Sequence, residues 1–255
     1  MTKEITLKID GVEVTVPQGT TILDAARKAQ VKIPTLCYHK DLTPTGSCGV
    51  CVVDTGAPTL KRSCMTEVED GMEVKTHTKK VREARKSVLE LILCNHPDEC
   101  LECIRNQTCE LQAMADDLEI DELPYERCVG DEPLDDNGVI IRDPNKCILC
   151  GRCVAACQEV QTVYAIDFKD RGFDKKVAPF MDKSLADSVC VNCGQCVAVC
   201  PVGALYERSD TQKVWDAIND PSKHVVVQEA PAVRVTIGEA FGLAPGTVSS
   251  GQMHT

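Results

Sequence analysis

Cys147-Ile-Leu-Cys150-Gly-Arg-Cys153-Val-Ala-Ala-Cys157 and Cys190-Val-Asn-Cys193-Gly-Gln-Cys196-Val-Ala-Val-Cys200-Pro201 are one pattern written twice. In each run three cysteines stand three residues apart, and a fourth follows four residues later. Such short spacers let one tight turn present three thiolates to one corner of an iron–sulfur cube, whose fourth iron then needs a more distant cysteine. Structural zinc also uses Cys-x2-Cys pairs. Zinc takes four ligands per site, however, and gives no reason to double a run of four cysteines.

The doubled run, closed by Pro201, resembles the two-cluster bacterial ferredoxins, in which the fourth cysteine of each run ligates the other run's cluster. The resemblance implies that Cys147, Cys150, Cys153 and Cys200 hold one [4Fe–4S] cluster. Cys190, Cys193, Cys196 and Cys157 would hold the second.

The rest of the composition agrees with a metalloprotein. The 255 residues could form one large domain or two to three small ones, but aromatics are only 4% and Trp215 is the single tryptophan. That is little bulky apolar material for one large core, so 17 cysteines must contribute to structure as metal ligands or disulfides. The chain opens Met-Thr-Lys-Glu-Ile-Thr-Leu-Lys without the apolar stretch of a secretory leader. No run approaches the roughly 18 apolar residues of a membrane span. The expected location is therefore the cytoplasm, away from membranes, where thiols stay reduced and close spacing means metal. A net charge of −11 argues against nucleic acid as a partner.

At the amino-terminal end, residues 3–8 and 12–16 alternate polar and apolar about Asp10-Gly11, which predicts a hairpin. Thr21-Ile-Leu-Asp24 predicts a capped helix with Ile22, Ala25, Ala26 and Ala29 on one face. The cysteines follow as Cys37-x10-Cys48-x2-Cys51-x12-Cys64. Plant-type [2Fe–2S] ferredoxins also have a middle Cys-x2-Cys and a distant fourth ligand, but their first gap is shorter. The pattern is similar instead to the [2Fe–2S] domain of [FeFe]-hydrogenases and of the large iron–sulfur subunit of NADH dehydrogenase. That resemblance implies a [2Fe–2S] cluster on Cys37, Cys48, Cys51 and Cys64, with Gly46 and Gly49 bringing backbone N–H groups close to the sulfides. Zinc remains the alternative.

Residues 79–93 predict an amphipathic helix with Val81, Ala84, Val88, Leu91 and Ile92 on its apolar stripe and a solvated basic face. Pro97 marks its end, and the chain continues as His96-x3-Cys100-x2-Cys103-x5-Cys109. Three cysteines leave a cubane one ligand short. In the two families just named, a histidine at this place ligates a [4Fe–4S] cluster, so the resemblance implies His96, Cys100, Cys103 and Cys109. Cys94, two residues earlier, competes with His96 for the fourth position. Outside these four sets only Cys94 and Cys128 remain, both read as small buried hydrophobes.

Further on, Val139–Asp143 and 161–168 read as strands, 210–219 as a helix, 224–228 as a buried strand, and Ala230-Pro-Ala-Val-Arg234 as a helix start. This tail resembles the opening of the [FeFe]-hydrogenase catalytic domain. No cysteine follows Cys200 to anchor a hydrogen-activating cluster.

The expected fold class is α+β. A β-grasp [2Fe–2S] ferredoxin domain (1–78) is followed by a small helical [4Fe–4S] domain with one histidine and three cysteine ligands (79–120). A two-cluster ferredoxin-like domain (121–209) and a short α/β tail (210–255) complete the chain. No dinucleotide fingerprint, P-loop or catalytic triad is present. One [2Fe–2S] and three [4Fe–4S] clusters without a substrate site make a wire. The resemblance implies an electron-relay subunit of an NAD(P)H-linked hydrogenase complex. Its partners would be a flavin- and NAD(P)H-binding subunit, a separate catalytic subunit of hydrogenase or formate dehydrogenase type, and ferredoxin in an electron-bifurcating arrangement. The competing readings are the amino-terminal part of an [FeFe]-hydrogenase, a relay for formate dehydrogenase, and a redox sensor. A sensor would need one labile cluster and not four.

Overall fold

A computed structural model describes residues 3–253. The chain forms two compact units, one ending at Arg208 and the other beginning at Ser209.

In the first unit β1 (Glu4–Ile9) and β2 (Val12–Pro17) form an antiparallel hairpin, with Ile9 opposite Val12. Asp10 and Gly11 both take positive φ, 47° and 85°, as a twisted two-residue hairpin turn requires. Helix α1 (Ile22–Lys28) starts where the Thr21 side chain accepts a hydrogen bond from the Asp24 N–H at 3.2 Å, and it buries Ile22, Leu23, Ala25 and Ala26. Short strands β3 (Val52–Val53) and β4 (Lys61–Arg62) pair with each other. β5 (Glu73–Val74) adds parallel to β1, giving the sheet order β2-β1-β5. The alternate residues Ile5, Leu7, Ile9, Val14 and Val16 pack on α1 in a core that also includes Cys51 and Cys64.

Helix α2 (Lys79–Cys94) is capped by Thr78. Its buried face runs through Val81, Arg85, Leu89 and Cys94, and Leu91 is 53% exposed. The expected stripe was thus wrong at Leu91. Positions 81, 85 and 89 repeat every fourth residue along one face, and 91 falls well round the helix from them. Helix α3 (Glu110–Asp117) follows, and Leu111 and Met114 pack with Leu89, Leu36 and Val50 in a central core.

Strands β6 (Asp135–Asp136) and β7 (Ile140–Arg142) lead into the first cysteine run. Helix α4 (Arg152–Ala155) carries Cys153 and passes into a π-helical turn, Ala156–Val160, that carries Cys157. Strands β8 (Asp167–Lys169) and β9 (Lys176–Ala178) form a hairpin inside the segment between the runs. The strand expected over 161–168 is therefore mostly irregular, because Thr162 and Tyr164 take φ of 56° and interrupt any pairing. Helix α5 (Gln195–Ala198) carries Cys196, and β10 (Leu205–Glu207) closes the antiparallel sheet β10-β7-β6.

The second unit contains α6 (Thr211–Asn219), α7 (Val233–Ala240) and α8 (Ser250–Met253). The buried strand expected at 224–228 does not form, and Val226 and Val227 are 78% and 87% exposed. A strand needs a neighbour for its N–H and C=O groups, and no strand is present among the described residues of this unit. No helix among the described residues is long and apolar enough to cross a membrane.

Candidate metal centres

The loop between α1 and β3, with the stretch after β4, gathers four thiols. Cys37, Cys51 and Cys64 are buried and Cys48 is half-buried. The Cys51 and Cys64 sulfurs lie within hydrogen-bond reach at 3.3 Å. Cys37 shares side-chain hydrogen bonds with Cys48 and Cys64, which hold its thiol far below the usual range. The same bonds push Cys48 and Cys64 up. Hydrogen bonding to Cys64 brings Cys51 down to about 6, against burial. Gly46 and Gly49 take φ of 60° and 73°, and the Arg62 guanidinium donates to Gly46 O at 2.7 Å, holding the loop. Beside Cys51 lies Arg85, a buried guanidinium that burial lowers to about 10.

His96, Cys100, Cys103 and Cys109 line one cavity with Arg105, Gln112 and Lys146. His96 is buried and its Nδ1 has no hydrogen-bond partner. Burial, with the positive charges of Lys146 and Arg127, brings the imidazole down to about 4, so it is neutral at neutral pH. A buried, neutral, unpartnered imidazole nitrogen fits a metal ligand. Cys94 Sγ lies outside this cavity and donates to Tyr125 O at 3.8 Å. Cys128, expected to be buried, is exposed.

The two cysteine runs interleave. Cys147, Cys150, Cys153 and Cys200 line one apolar cavity with Ile148, Ile166, Val202 and Leu205. Cys157, Cys190, Cys193 and Cys196 line another with Ile140, Ile166 and Leu185. Burial raises the thiols of Cys147, Cys150, Cys153 and Cys196, those of Cys150 and Cys196 to about 12. Burial also raises Cys200, opposed by backbone N–H groups of Val202, Leu205 and Ala204 that favour its thiolate. A cavity that disfavours negative sulfur so strongly needs a compensating cation, which the irons of a cluster would supply. Among the described residues no three His, Cys, Asp or Glu side chains converge as a single ion requires. The thiols face cavities instead.

The Cys147 centre touches all the others. Thr45 Oγ1 and Ser47 Oγ, from the loop that carries Cys48, donate to Cys150 O at 3.1 and 3.2 Å. Glu110 N, next to Cys109, donates to Pro201 O at 3.0 Å. A Cβ on Gly203 would lie 2.6 Å from Cys103 Sγ, so only glycine lets the His96 centre approach here. On the remaining side α4, which carries Cys153, packs against α5, which carries Cys196 of the Cys190 centre. One core packs against Cys48, Cys109, Cys147 and Cys200 together. Spacing along the chain carries no signal for this arrangement.

Known proteins share these parts. Residues 2–79 match a 2Fe-2S iron-sulfur cluster binding domain, 85–124 an NADH-ubiquinone oxidoreductase-G iron-sulfur binding region, and 146–204 a 4Fe-4S dicluster domain. The chain is 47% identical to the NADP-reducing hydrogenase subunit HndD of Solidesulfovibrio fructosivorans, over 98% of this chain and 44% of that protein. It is 31% identical to the mitochondrial NADH-ubiquinone oxidoreductase 78 kDa subunit of Candida albicans, over 79% of this chain and 28% of that one. The chain therefore spans less than half the length of either relative. A chain of an NAD+-reducing [NiFe]-hydrogenase, solved in the H2-reduced state, superposes with a TM-score of 0.76 at 27% identity, covering 80% of this chain and 88% of that one. This chain thus carries in succession a 2Fe-2S domain, an NADH-ubiquinone oxidoreductase-G iron-sulfur region and a 4Fe-4S dicluster domain, and along most of its length it is similar to iron–sulfur subunits of hydrogenases and NADH dehydrogenases.

Proposed function

We propose that the chain is the iron–sulfur relay of an NAD(P)H-linked hydrogenase complex, carrying electrons and converting no substrate itself. The observation that carries this reading is that three cysteine or cysteine–histidine sets lie around a fourth, the Cys147 set. We assign a [2Fe–2S] cluster to Cys37, Cys48, Cys51 and Cys64 and [4Fe–4S] clusters to the other three sets. The domain division is read as 1–78, 79–120, 121–209 and 210–255, the first of these as a β-grasp. Bound clusters of these types accept and release single electrons. The protein's own residues bind them by thiolate or imidazole, exclude water with Leu36, Val50, Leu89, Leu111 and Val202, and hold the centres in mutual contact.

The partners are then a flavin- and NAD(P)H-binding subunit and a separate catalytic subunit, with ferredoxin as a third electron carrier if the complex bifurcates. This assignment draws on the hydrogenase and NADH dehydrogenase relatives. A second reading follows from the 36% identity to iron hydrogenase 1 of Clostridium pasteurianum over 98% of this chain and 44% of that protein. In that reading the same relay is the front part of a hydrogenase chain.

Anaerobic iron and sulfide assays test the relay. About 14 irons per chain are expected from one two-iron and three four-iron clusters. Substoichiometric iron with bound zinc would overturn it. Sequencing the gene past the codon for Thr255 would separate the relay subunit from the hydrogenase reading.

A further inference from the structure

Arg152 sits where three of the four centres meet. It lies between Cys150 and Cys153 on α4 and is 5% exposed. Its guanidinium donates two bonds to Glu110, at 2.7 and 2.8 Å, and Glu110 adjoins Cys109 of the His96 centre. The preceding Gly151 packs so closely on Thr45 that an added Cβ would lie 3.2 Å from its methyl group. The Cys150–Gly151 turn next to Arg152 is thus packed against the loop that carries Cys48. Besides Glu110, its electrostatic neighbours are the thiols of Cys150 and Cys37.

The pairing is lopsided. Arg152 is buried, whereas the Glu110 side chain is 45% exposed. Water screens the carboxylate, so more of the guanidinium's charge reaches the interior than in a fully buried pair, and its Nε has no hydrogen-bond partner. Burial works against the charged form, yet hydrogen bonding and charge from Glu110 hold the guanidinium above its ordinary range. It is a permanent cation. Buried ion pairs contribute little to stability compared with an apolar pair of the same size. A cation kept here is better explained by the charge it places near the centres.

We propose that Arg152 is a potential-setting residue for the relay, its buried charge favouring an electron on the Cys147 centre and on the Cys37 centre beside it. A positive charge lowers the energy of an added electron, and a low local dielectric extends its reach. Glu110 opposes it on the side of the His96 centre. The pair therefore grades the potentials across the junction, holding the Cys147 and Cys37 centres up and the His96 centre down. This inference rests on the iron–sulfur reading above.

The test is a redox titration of the fully loaded chain, followed by electron paramagnetic resonance, after iron content has been measured. Arg152→Gln should lower the potentials of the Cys147 and Cys37 centres and shift the Cys190 centre least. Arg152→Lys keeps the charge and should restore most of the shift. Glu110→Gln, at a half-exposed position, should move potentials upward, most at the His96 centre. Normal iron with unmoved potentials in Arg152→Gln would overturn the proposal, as would equal shifts in the Gln and Lys variants. If Arg152→Gln loses iron, Glu110→Gln decides alone, and the proposal fails unless potentials rise. A wild-type chain without iron would instead defeat the relay reading itself.

Discussion

The His96 centre and the Cys147 centre use similar ligand chemistry in opposite surroundings. At the first, Cys100 is exposed and the neighbouring Leu101 and Ile104 are 90% and 65% exposed. At the second, Cys150 and Cys153 are buried under Val202, Ala204 and Leu205. One lies at the rim and the other at the hub. The difference teaches that burial and contact, more than ligand type, divide the labour of a relay. A rim site can meet an external carrier, whereas a hub with neighbours on every side can only pass electrons inward. Histidine at the rim adds a second difference. In the assignment proposed above, a neutral ligand would leave the cluster less negative than a fourth thiolate would, which would raise its potential.

The largest expected effect is at the hub. Cys200→Ser should cost about four of about 14 irons and the signal of the Cys147 centre, while the Cys190 centre persists. Loss of the Cys190 signal instead would mean that the runs are not interleaved in their ligation. At the rim, His96→Ala should leave a fragile cluster and His96→Cys a stable one of lower potential, read by iron assay and redox titration. Cys94→Ser should change neither. A cluster destabilised by Cys94→Ser but untouched by His96→Ala would reverse the ligand assignment.

Packing should separate the two regions next. Leu89, fully buried in the core behind the hub, should lose about 2–5 kcal/mol on Leu89→Ala by denaturant unfolding. Leu101→Ala at the rim should be within about 0.5 kcal/mol of wild type. Equal losses would abolish the distinction.

Acid offers a gentler probe of the rim in the iron-free chain. His96 is lowered from 6.5 to about 4 in the folded state, so below pH 6.5 the unfolded chain binds a proton that the folded chain refuses. Stability should therefore fall as pH drops from about 6.5 to 4, by at most about 3 kcal/mol. His96→Gln should flatten that slope in urea titrations at pH 7 and pH 5. A slope unchanged by the substitution would show that the imidazole is not held neutral. The smallest effect belongs to Ser47→Ala, which removes one bond from the [2Fe–2S] loop to Cys150 O. About 1 kcal/mol of stability should be lost, with iron content unchanged.

Local pattern was enough for much of the first unit. Alternation about Asp10-Gly11 is a property of neighbouring residues, and so are the Thr21 cap and the basic helix after Thr78. All three appear where pattern puts them. Pattern failed where a segment depends on a partner. Val225, Val226 and Val227 form no strand, and residues 161–168 read as a strand although positive φ at Thr162 and Tyr164 breaks all but its end at Asp167 and Phe168.

The cysteine spacings by themselves determined how many sets of sulfur ligands the chain could offer, because a short spacer limits how far apart two thiols can lie. Tertiary structure alone decided how those sets are related. Bringing Ser47 and Thr45 to Cys150, Glu110 to Pro201 and Cys103 to Gly203 joins residues far apart in the chain. Side chains at such separations meet only when distinct elements bury a common core, here Leu36, Val50, Leu89, Leu111 and Val202. The hub is a consequence of that packing, and so is the buried charge of Arg152 within it.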